Sequence, residues 1–204
     1  GGDLDALVLE LLGDPRGCAG GMGGSASIQS GGANIYGHDG LMGSQVPIAV
    51  GACYANRKPT ICFAGDAAIE EDYALAALGW AATQRLPILF VVEDNNLAVL
   101  TEKRVRRSWE VTDVARGFGL ASGNSSDDPD TLYPGIPGLV QWPALLNVNT
   151  TRLGWHAGVG TDDPNAFDRH KEVGVKNFSF DEVIEIRHRC EQRVEEAWTR
   201  LCKK

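Results

Sequence analysis

Two continuous apolar runs, separated by one helical segment, constrain the fold of this chain more than any other feature. "TICFAG" occupies Thr60–Gly65, and "PILFVVE" occupies residues 87–93. Neither run alternates between apolar and polar residues, which is typical of strands buried on both faces of a parallel sheet. The segment between them predicts a helix over residues 70–84. A strand–helix–strand unit of this length is a right-handed crossover, so we expect the two strands to be parallel.

The rest of the sequence extends this unit into an α/β fold with a mostly parallel sheet. "PALLNVNT", residues 143–150, predicts a third buried strand. Residues 17–43 and 151–176 are rich in glycine and polar residues and predict loops. We expect residues 1–204 to form a single layered domain. Apolar residues at helical spacing predict four further helices, in "DLDALVLELL", "SQVPIAVGACYAN", "WEVTDVARGFG" and "SFDEVIEIRHRCEQRVEEAWTRLCKK".

Composition excludes several classes of protein. The formal net charge of the 204 residues is −8, which argues against a general nucleic-acid binder. The five cysteines are odd in number and contain no CxxC pair, so free thiols in a reducing compartment are expected. No apolar run reaches transmembrane length, and the first residues do not have the pattern of a signal peptide. These features predict a cytoplasmic protein without a membrane or nucleic-acid partner.

Polar side chains follow the two apolar runs at the point where each predicted strand ends. Asp66 follows the first run, and Asn95 follows the second. Ligands of open parallel sheets bind beyond the carboxyl ends of the strands, and carboxylate and amide oxygens suit magnesium. Ala67 and Ala68 leave backbone amides accessible to an anion at the start of the next helix. The pattern favours a site that binds a magnesium-bridged di- or triphosphate. The alternative is that Asp66 simply caps the following helix.

Four motifs in order resemble one known family. They are "GCAGGMGGS", "GHDGLMGSQVPIAVGACYA", "GDAAIEEDYALAALGWAATQRLPILFVVEDNNLAVLT" and "NTTRLGWHAGVGTDDP". Together they are similar to the α subunit of the thiamine-diphosphate-dependent 2-oxo acid dehydrogenase components, of the pyruvate, branched-chain and acetoin types. The resemblance covers residues 17–164. It implies a thiamine-diphosphate-binding fold in which this chain is the half that holds the diphosphate.

The resemblance assigns a role to individual positions of the metal and diphosphate site. It implies that Asp66 and Asn95 are side-chain ligands of magnesium and that Leu97 supplies a backbone carbonyl. It also implies that the residues around the strand end approach the diphosphate, namely Gly65, Ala67 and Ala68.

The same resemblance assigns residues to the rest of the cofactor and to the substrate. Gly40 and Met42 would contact the aminopyrimidine through their backbones. His156 matches the active-site histidine that faces the substrate and the lipoyl acceptor. His38, next to the pyrimidine contacts, is a second catalytic candidate.

The function implied by the resemblance is decarboxylation of a small 2-oxo acid and transfer of the acyl or aldehyde unit to an acceptor, with a lipoyl carrier as one candidate. Two alternatives stay open. A split non-oxidative decarboxylase, carboligase or transketolase-like enzyme uses the same half of the cofactor site, and a non-catalytic subunit can retain the fold. Each of the enzymatic roles needs thiamine diphosphate and magnesium.

The sequence departs from the family pattern at several positions. Ala67 replaces a glycine, Asp94 replaces the first asparagine of a pair, and Ala157 stands where several members carry a phosphorylatable serine. The sequence also lacks an upstream arginine that grips the diphosphate and a domain that supplies the activating glutamate. We therefore expect a hetero-oligomer with a β-type subunit that carries the pyrimidine-binding domain.

One charged run has two interpretations. "EKRVRR", residues 102–107, can reach a phosphate or a lipoyl-carrier domain, but the pattern favours a solvated loop. Glu70 and Glu71 can form hydrogen bonds near the metal loop, but the pattern favours a solvated first helical turn.

Overall fold

The structure is a computed structural model that describes residues 2–37, 40–139, 142–157, 160–161 and 163–202. The chain forms two compact units. The terminal unit comprises residues 1–41 and 170–204, and the sheet unit comprises Met42–Arg169. The single domain over residues 1–204 stays a prediction.

A parallel sheet of four strands forms the centre of the sheet unit. Its strand order is β1-β2-β6-β5, and each neighbouring pair is parallel. The two apolar runs are therefore neighbouring parallel strands, and the α/β fold with a parallel sheet is confirmed. A separate two-stranded antiparallel ribbon pairs β3 with β4. The strand bounds are β1 Thr60–Gly65, β2 Ile88–Asp94, β3 Leu97–Ala98, β4 Thr101–Glu102, β5 Ala121–Ser126 and β6 Ala144–Asn149.

Helices of the sheet unit cover the sheet unequally. Their bounds are α2 Gln45–Asn56, α3 Asp72–Thr83, α4 Lys103–Arg106, α5 Val111–Phe118, α6 Pro129–Leu132 and α7 Ile136–Leu139. The larger core joins α2, α3 and α5 to the sheet, and small side chains such as Ala74 and Ala81 let α3 pack closely. A smaller cluster joins Leu89 and Val148 to α6 and α7. β1 is an edge strand whose residues alternate between buried and exposed, and Phe63 is 58% exposed within the described part of the chain. The expectation that both apolar runs are buried on both faces is therefore wrong for β1.

The strand register brings the ends of all four strands of this sheet to one edge. Gly65 pairs with Glu93, and Asp94 pairs with Asn149, which also pairs with Ser126. Because parallel strands point the same way, their carboxyl ends meet at this edge. We call these strand ends, with the residues directly after them, the carboxyl edge.

The terminal unit consists of a short N-terminal helix, a glycine-rich loop and the C-terminal helices. Its helices are α1 Leu4–Leu11, α8 Arg169–Asn177, which starts at the last residue of the sheet unit, and α9 Phe180–Cys202. Ser179 caps α9: its Oγ accepts from the Glu182 N–H at 3.3 Å, and the Glu182 carboxylate accepts from the Ser179 N–H at 2.8 Å. This reciprocal pair is a capping box, which fixes where α9 begins.

Several elements were not predicted, among them β5 and α8, and one helix begins later than expected. β5 has the sequence "ASGNSS", which lacks the apolar pattern of a strand and lies at the other edge of the sheet. α8 lies partly in the segment predicted to be loop. α3 starts at Asp72 rather than Glu70, because a turn of 3-10 helix over Ala68–Glu70 comes first. None of the helices within the described ranges is long and apolar enough to span a bilayer.

A buried carboxylate in α1 organises the glycine-rich loop. Glu10 is 1% exposed, and its two oxygens accept backbone N–H groups from four residues of the loop, at 2.6 to 3.3 Å. These four donors are Ala19, Gly21, Gly23 and Gly24. Burial raises the pKa of the Glu10 carboxyl, but the four donated hydrogen bonds lower it by more, so the pKa lies below its usual value. Glu10 therefore remains ionised and fixes the path of the loop.

We predict that Glu10→Gln destabilises the folded chain at neutral pH, because a neutral amide cannot accept the four N–H groups as a carboxylate does. A group with a lowered pKa stabilises the fold above its unfolded pKa, and this contribution is lost as the pH falls through the folded pKa. Thermal unfolding should show a lower Tm for the variant than for the wild type at pH 7. The two Tm values should converge at acid pH. Glu191→Gln, on exposed α9, is the matched control, and a pH-independent difference would contradict the prediction.

Candidate functional site at the carboxyl edge of the sheet

Asp66 follows β1 directly and does not cap a helix. The 3-10 turn has Ala67 as its N-cap residue, and α3 has Glu71, in each case without a side-chain cap hydrogen bond. The helix-cap alternative for Asp66 is therefore wrong. Ala67 has φ −83° and ψ −34°, an ordinary right-handed conformation that accepts a methyl group in place of the family's glycine. The amides of Ala67 and Ala68 belong to the 3-10 turn and not to the first turn of α3.

The Asp66 carboxylate is buried and is neutralised by an arginine from a distant part of the chain. Asp66 is 2% exposed, and its Oδ2 accepts from Nη2 of Arg106. Nη1 of Arg107 donates to the backbone oxygen of Asp66 at 3.3 Å. A buried carboxylate is costly without a counter-charge, so these contacts explain how Asp66 is tolerated at this position.

Glu70 completes a cluster of two carboxylates and two guanidinium groups. Its Oε1 lies 2.6 Å from Nη1 of Arg106 and 3.3 Å from Nη1 of Arg107. The solvated position predicted for Glu70 is therefore wrong. We call Asp66, Glu70, Arg106 and Arg107 the charge cluster.

Asp94 forms a second ion pair on the neighbouring strand. Nζ of Lys103 lies 2.6 Å from its Oδ2, and Nδ2 of Asn147 donates to the same oxygen at 3.2 Å. The Asn96 N–H donates to Oδ1 at 3.0 Å. Burial raises the pKa of the Asp94 carboxyl, but Lys103, followed by the two other donors, lowers it by more, and the net pKa is below its usual value. Asp94, which stands where the family has an asparagine, thus has a local charged partner in Lys103.

Helix α4 and the residue directly after it supply the cations of the charge cluster and of the Asp94 ion pair. Lys103 pairs with Asp94, and Arg106 pairs with Asp66. The Arg106 side chain is 12% exposed and that of Arg107 is 2% exposed, whereas that of Arg104 is 78% exposed. The interpretation of residues 102–107 as a solvated loop is therefore wrong for Arg106 and Arg107. Sequence reasoning missed that Lys103 and Arg106 have i, i+3 spacing, which places them on one face of a helical turn, while Arg107 follows the helix in an extended conformation.

Asn95 and Leu97 form a turn at the end of β2. The Leu97 N–H donates to Oδ1 of Asn95 at 2.9 Å, and Asn96 between them has a φ of 65°. An amide oxygen has two lone pairs, so Oδ1 of Asn95 can accept this N–H and still bind a cation. Because β1 and β2 are neighbours in register, Asp66 and Asn95 lie at the same edge.

The residues at the carboxyl edge fit a metal–diphosphate better than a metal alone. Within the described ranges, no group of three or more His, Cys, Asp or Glu side chains is arranged to hold a metal ion. Asp66 and Asn95 offer two oxygen side chains, and magnesium commonly takes its further ligands from substrate phosphates and water.

Buried arginine N–H groups also fit a metal–diphosphate at this edge. Nε of Arg106 and both Nε and Nη2 of Arg107 are buried and have no hydrogen-bond partner among the residues that the structure describes. Buried cationic N–H groups are costly when unpaired, and phosphate oxygens are the acceptors that a guanidinium pairs with best. These orphaned donors lie in the charge cluster that contains Asp66.

The remaining predicted site residues are distributed over both units. His156 is exposed in the sheet unit, on the segment that follows β6. The backbone oxygen of Met42 accepts from the hydroxyl group of Tyr73 in α3. Gly40 belongs to the terminal unit and has a φ of 87°, a conformation that favours glycine. His38 lies outside the described residues.

Comparison with known proteins identifies relatives. The family model described as "Dehydrogenase E1 component" matches residues 1–131. A pyruvate dehydrogenase E1 component subunit alpha from Rickettsia bellii is 29% identical over 196 residues, which cover 89% of this chain and 58% of that protein. The mitochondrial counterpart from Sminthopsis macroura is 35% identical over 131 residues, which cover 62% of this chain and 35% of that protein. The chain thus spans a little over half the length of the Rickettsia relative.

Among solved structures, one from Mycobacterium smegmatis is described as a proposed thiamin diphosphate-dependent enzyme. It is 27% identical, with a TM-score of 0.47, and the match covers 55% of this chain and 23% of that chain.

We predict that Asp94→Asn lowers the free energy of unfolding at pH 7 by about 1–3 kcal/mol, because the charge-assisted bond from Lys103 is lost. The lowered pKa means that Asp94 stabilises the fold above its unfolded pKa and that this contribution disappears as the pH falls through the folded pKa. Urea unfolding should show a large difference in the free energy of unfolding between wild type and Asp94→Asn at pH 7. This difference should vanish in acid. Asp113→Asn removes one partner of an exposed ion pair on α5. It should change the free energy of unfolding little at either pH. An unchanged free energy at pH 7 would count against the Asp94 ion pair.

Proposed function

Because the chain belongs to the dehydrogenase E1 component family, we propose that it is the diphosphate-binding α-type subunit of a thiamine-diphosphate-dependent 2-oxo acid dehydrogenase. The family match over residues 1–131 carries this proposal, since it includes Asp66 and Asn95, which follow β1 and β2 at the carboxyl edge. The relatives named as pyruvate dehydrogenase E1 alpha subunits support the dehydrogenase role.

The proposed ligand is thiamine diphosphate with magnesium. Asp66 and Asn95 would hold the metal through side-chain oxygens, and Leu97 would hold it through its carbonyl. The strand end would lie against the diphosphate, at Gly65, Ala67 and Ala68. An added Cβ at Gly65 would meet no atom within 4 Å, so the space beside this strand end is open. When bound, thiamine diphosphate supplies the carbon nucleophile that a 2-oxo acid needs for decarboxylation.

His156 would act at the mouth of the site. Its ring is exposed on the segment that follows β6, whose carboxyl end lies at the carboxyl edge. An imidazole can hold or release a proton near neutral pH, which suits protonation of the acceptor during transfer of the acyl unit. Gly40 and Met42 would contact the aminopyrimidine through their backbones.

The remaining components of the reaction would come from other molecules. The proposed partner is a β-type subunit that carries the pyrimidine-binding domain, in a cytoplasmic hetero-oligomer. The proposed substrate is a small 2-oxo acid, and the proposed acceptor is a lipoyl carrier.

The function predicts that thiamine diphosphate with magnesium binds this chain together with its β-type partner, and that Asp66→Asn weakens the binding by roughly a hundredfold or more. The physical reason is the loss of the charged metal ligand. Isothermal titration calorimetry of the wild-type complex and of the variant complex measures the effect.

Asp113→Asn is the matched control, because this carboxylate is exposed and lies on α5. Circular dichroism of each variant establishes that it is folded. Absence of binding to the wild-type complex, or equal binding to Asp66→Asn, would reject the proposed function.

A further inference from the structure

The charge cluster is balanced without a metal, and this balance restricts how a metal can enter. Two carboxylates, Asp66 and Glu70, face two guanidinium groups, Arg106 and Arg107. A divalent cation on Asp66 would place its charge beside Arg106, which already occupies Oδ2. Two cations at a separation of about 4 Å repel each other by roughly 1–4 kcal/mol per pair of unit charges, depending on the local dielectric.

A diphosphate removes this conflict. It carries about two to three negative charges at neutral pH and offers acceptor oxygens to guanidinium groups. When it enters with the metal, the added charges nearly cancel. The orphaned Nε of Arg106, and the Nε and Nη2 of Arg107, then have acceptors available.

The two arginines differ in how firmly they are held. The guanidinium of Arg107 stacks on the ring of Trp109 at 4.6 Å, donates to the backbone oxygen of Asp66, and is almost fully buried. Arg106 is the last residue of α4, is more exposed, and makes its contacts through two carboxylates. Arg106 is therefore the one that can change partners while Arg107 stays in place.

We propose that Arg106 is a diphosphate-binding residue that exchanges partners: it neutralises Asp66 in the metal-free chain and turns to a phosphate oxygen when a divalent cation takes Asp66. This inference rests on the proposed function, because it concerns the same site and the same ligand class. It makes metal and diphosphate binding interdependent, since each removes the charge imbalance that the other creates.

The exchange predicts opposite effects of Arg106→Gln on two probes. With Mn²⁺ alone, the variant should bind roughly tenfold more tightly than the wild type, because the competing cation is gone. With inorganic pyrophosphate at saturating Mn²⁺, it should bind roughly ten- to a hundredfold more weakly, because a charge-assisted hydrogen bond is lost. Electron paramagnetic resonance of free Mn²⁺ measures the first affinity, and calorimetry of the full chain measures the second.

Arg104→Gln is the matched control, because it removes the same charge from the same helix but pairs with Glu102 in solvent. It should change neither affinity by more than about twofold. Arg106→Lys keeps the charge and loses the planar fork. It should retain the wild-type Mn²⁺ affinity and lose several-fold in pyrophosphate affinity, and it carries the test if Arg106→Gln does not fold.

A purely structural ion pair gives a different result. Loss of affinity for both probes with a lower Tm, equal shifts in Arg104→Gln, or no change in either affinity would overturn the inference. Opposite shifts without binding of thiamine diphosphate to the complex with the partner would retain the inference and reject the proposed function. If thiamine diphosphate binds the complex and Arg106→Gln does not change its affinity, the proposed function is retained and the inference about Arg106 is rejected.

Discussion

The burial of the Asp66 carboxylate is the constraint on which the arrangement of the carboxyl edge depends. A strand end that places a carboxylate at 2% exposure requires a counter-charge, and Arg106 provides it from forty residues further along the chain. That ion pair holds α4 over the end of β1, and Lys103 of the same helix holds it over the end of β2. Two charge pairs thus fix the position of α4 across two neighbouring strands.

The same electrostatics connect the fold to its proposed chemistry. A parallel sheet brings its strand ends to one edge, where Asp66 and Asn95 provide oxygens for a metal. The arginines of the charge cluster add cationic donors at the same place, and some of these donors have no hydrogen-bond partner in the described part of the chain. Oxygen ligands beside unpaired guanidinium donors suit a ligand that joins a divalent cation to an anion. The metal-bound diphosphate of the proposed cofactor has this chemistry.

The sequence was sufficient for the elements whose burial determines their composition. β2 and β6 are apolar because they are buried in the sheet, and their continuous patterns revealed them. β1 has the same kind of apolar pattern, although it is an edge strand with alternating buried and exposed residues. β5 is an edge strand of small polar residues, so it has no such pattern. The family resemblance located Asp66 and Asn95, and their position at the strand ends agrees with the structure.

The charge cluster could not be predicted, because its energy comes from contacts between residues distant in sequence. Neighbouring residues in "EKRVRR" differ widely in exposure, from Arg104 in solvent to Arg107 in the interior. A charged run in a sequence does not reveal which members have a buried carboxylate to pair with. Only the i, i+3 spacing of Lys103 and Arg106 contains a local signal, and it gains meaning once their partners Asp94 and Asp66 are known.

We propose that a divalent cation and a diphosphate bind together at the carboxyl edge. Paramagnetic broadening of backbone amide resonances by Mn²⁺, recorded with inorganic pyrophosphate on the isotopically labelled chain, tests the location directly. Broadening should be strongest at Asp66, Ala67 and the turn from Asn95 to Leu97 if the cation binds there. Broadening centred on the acidic residues of α9, such as Glu191 and Glu195, with the carboxyl edge unaffected, would contradict it.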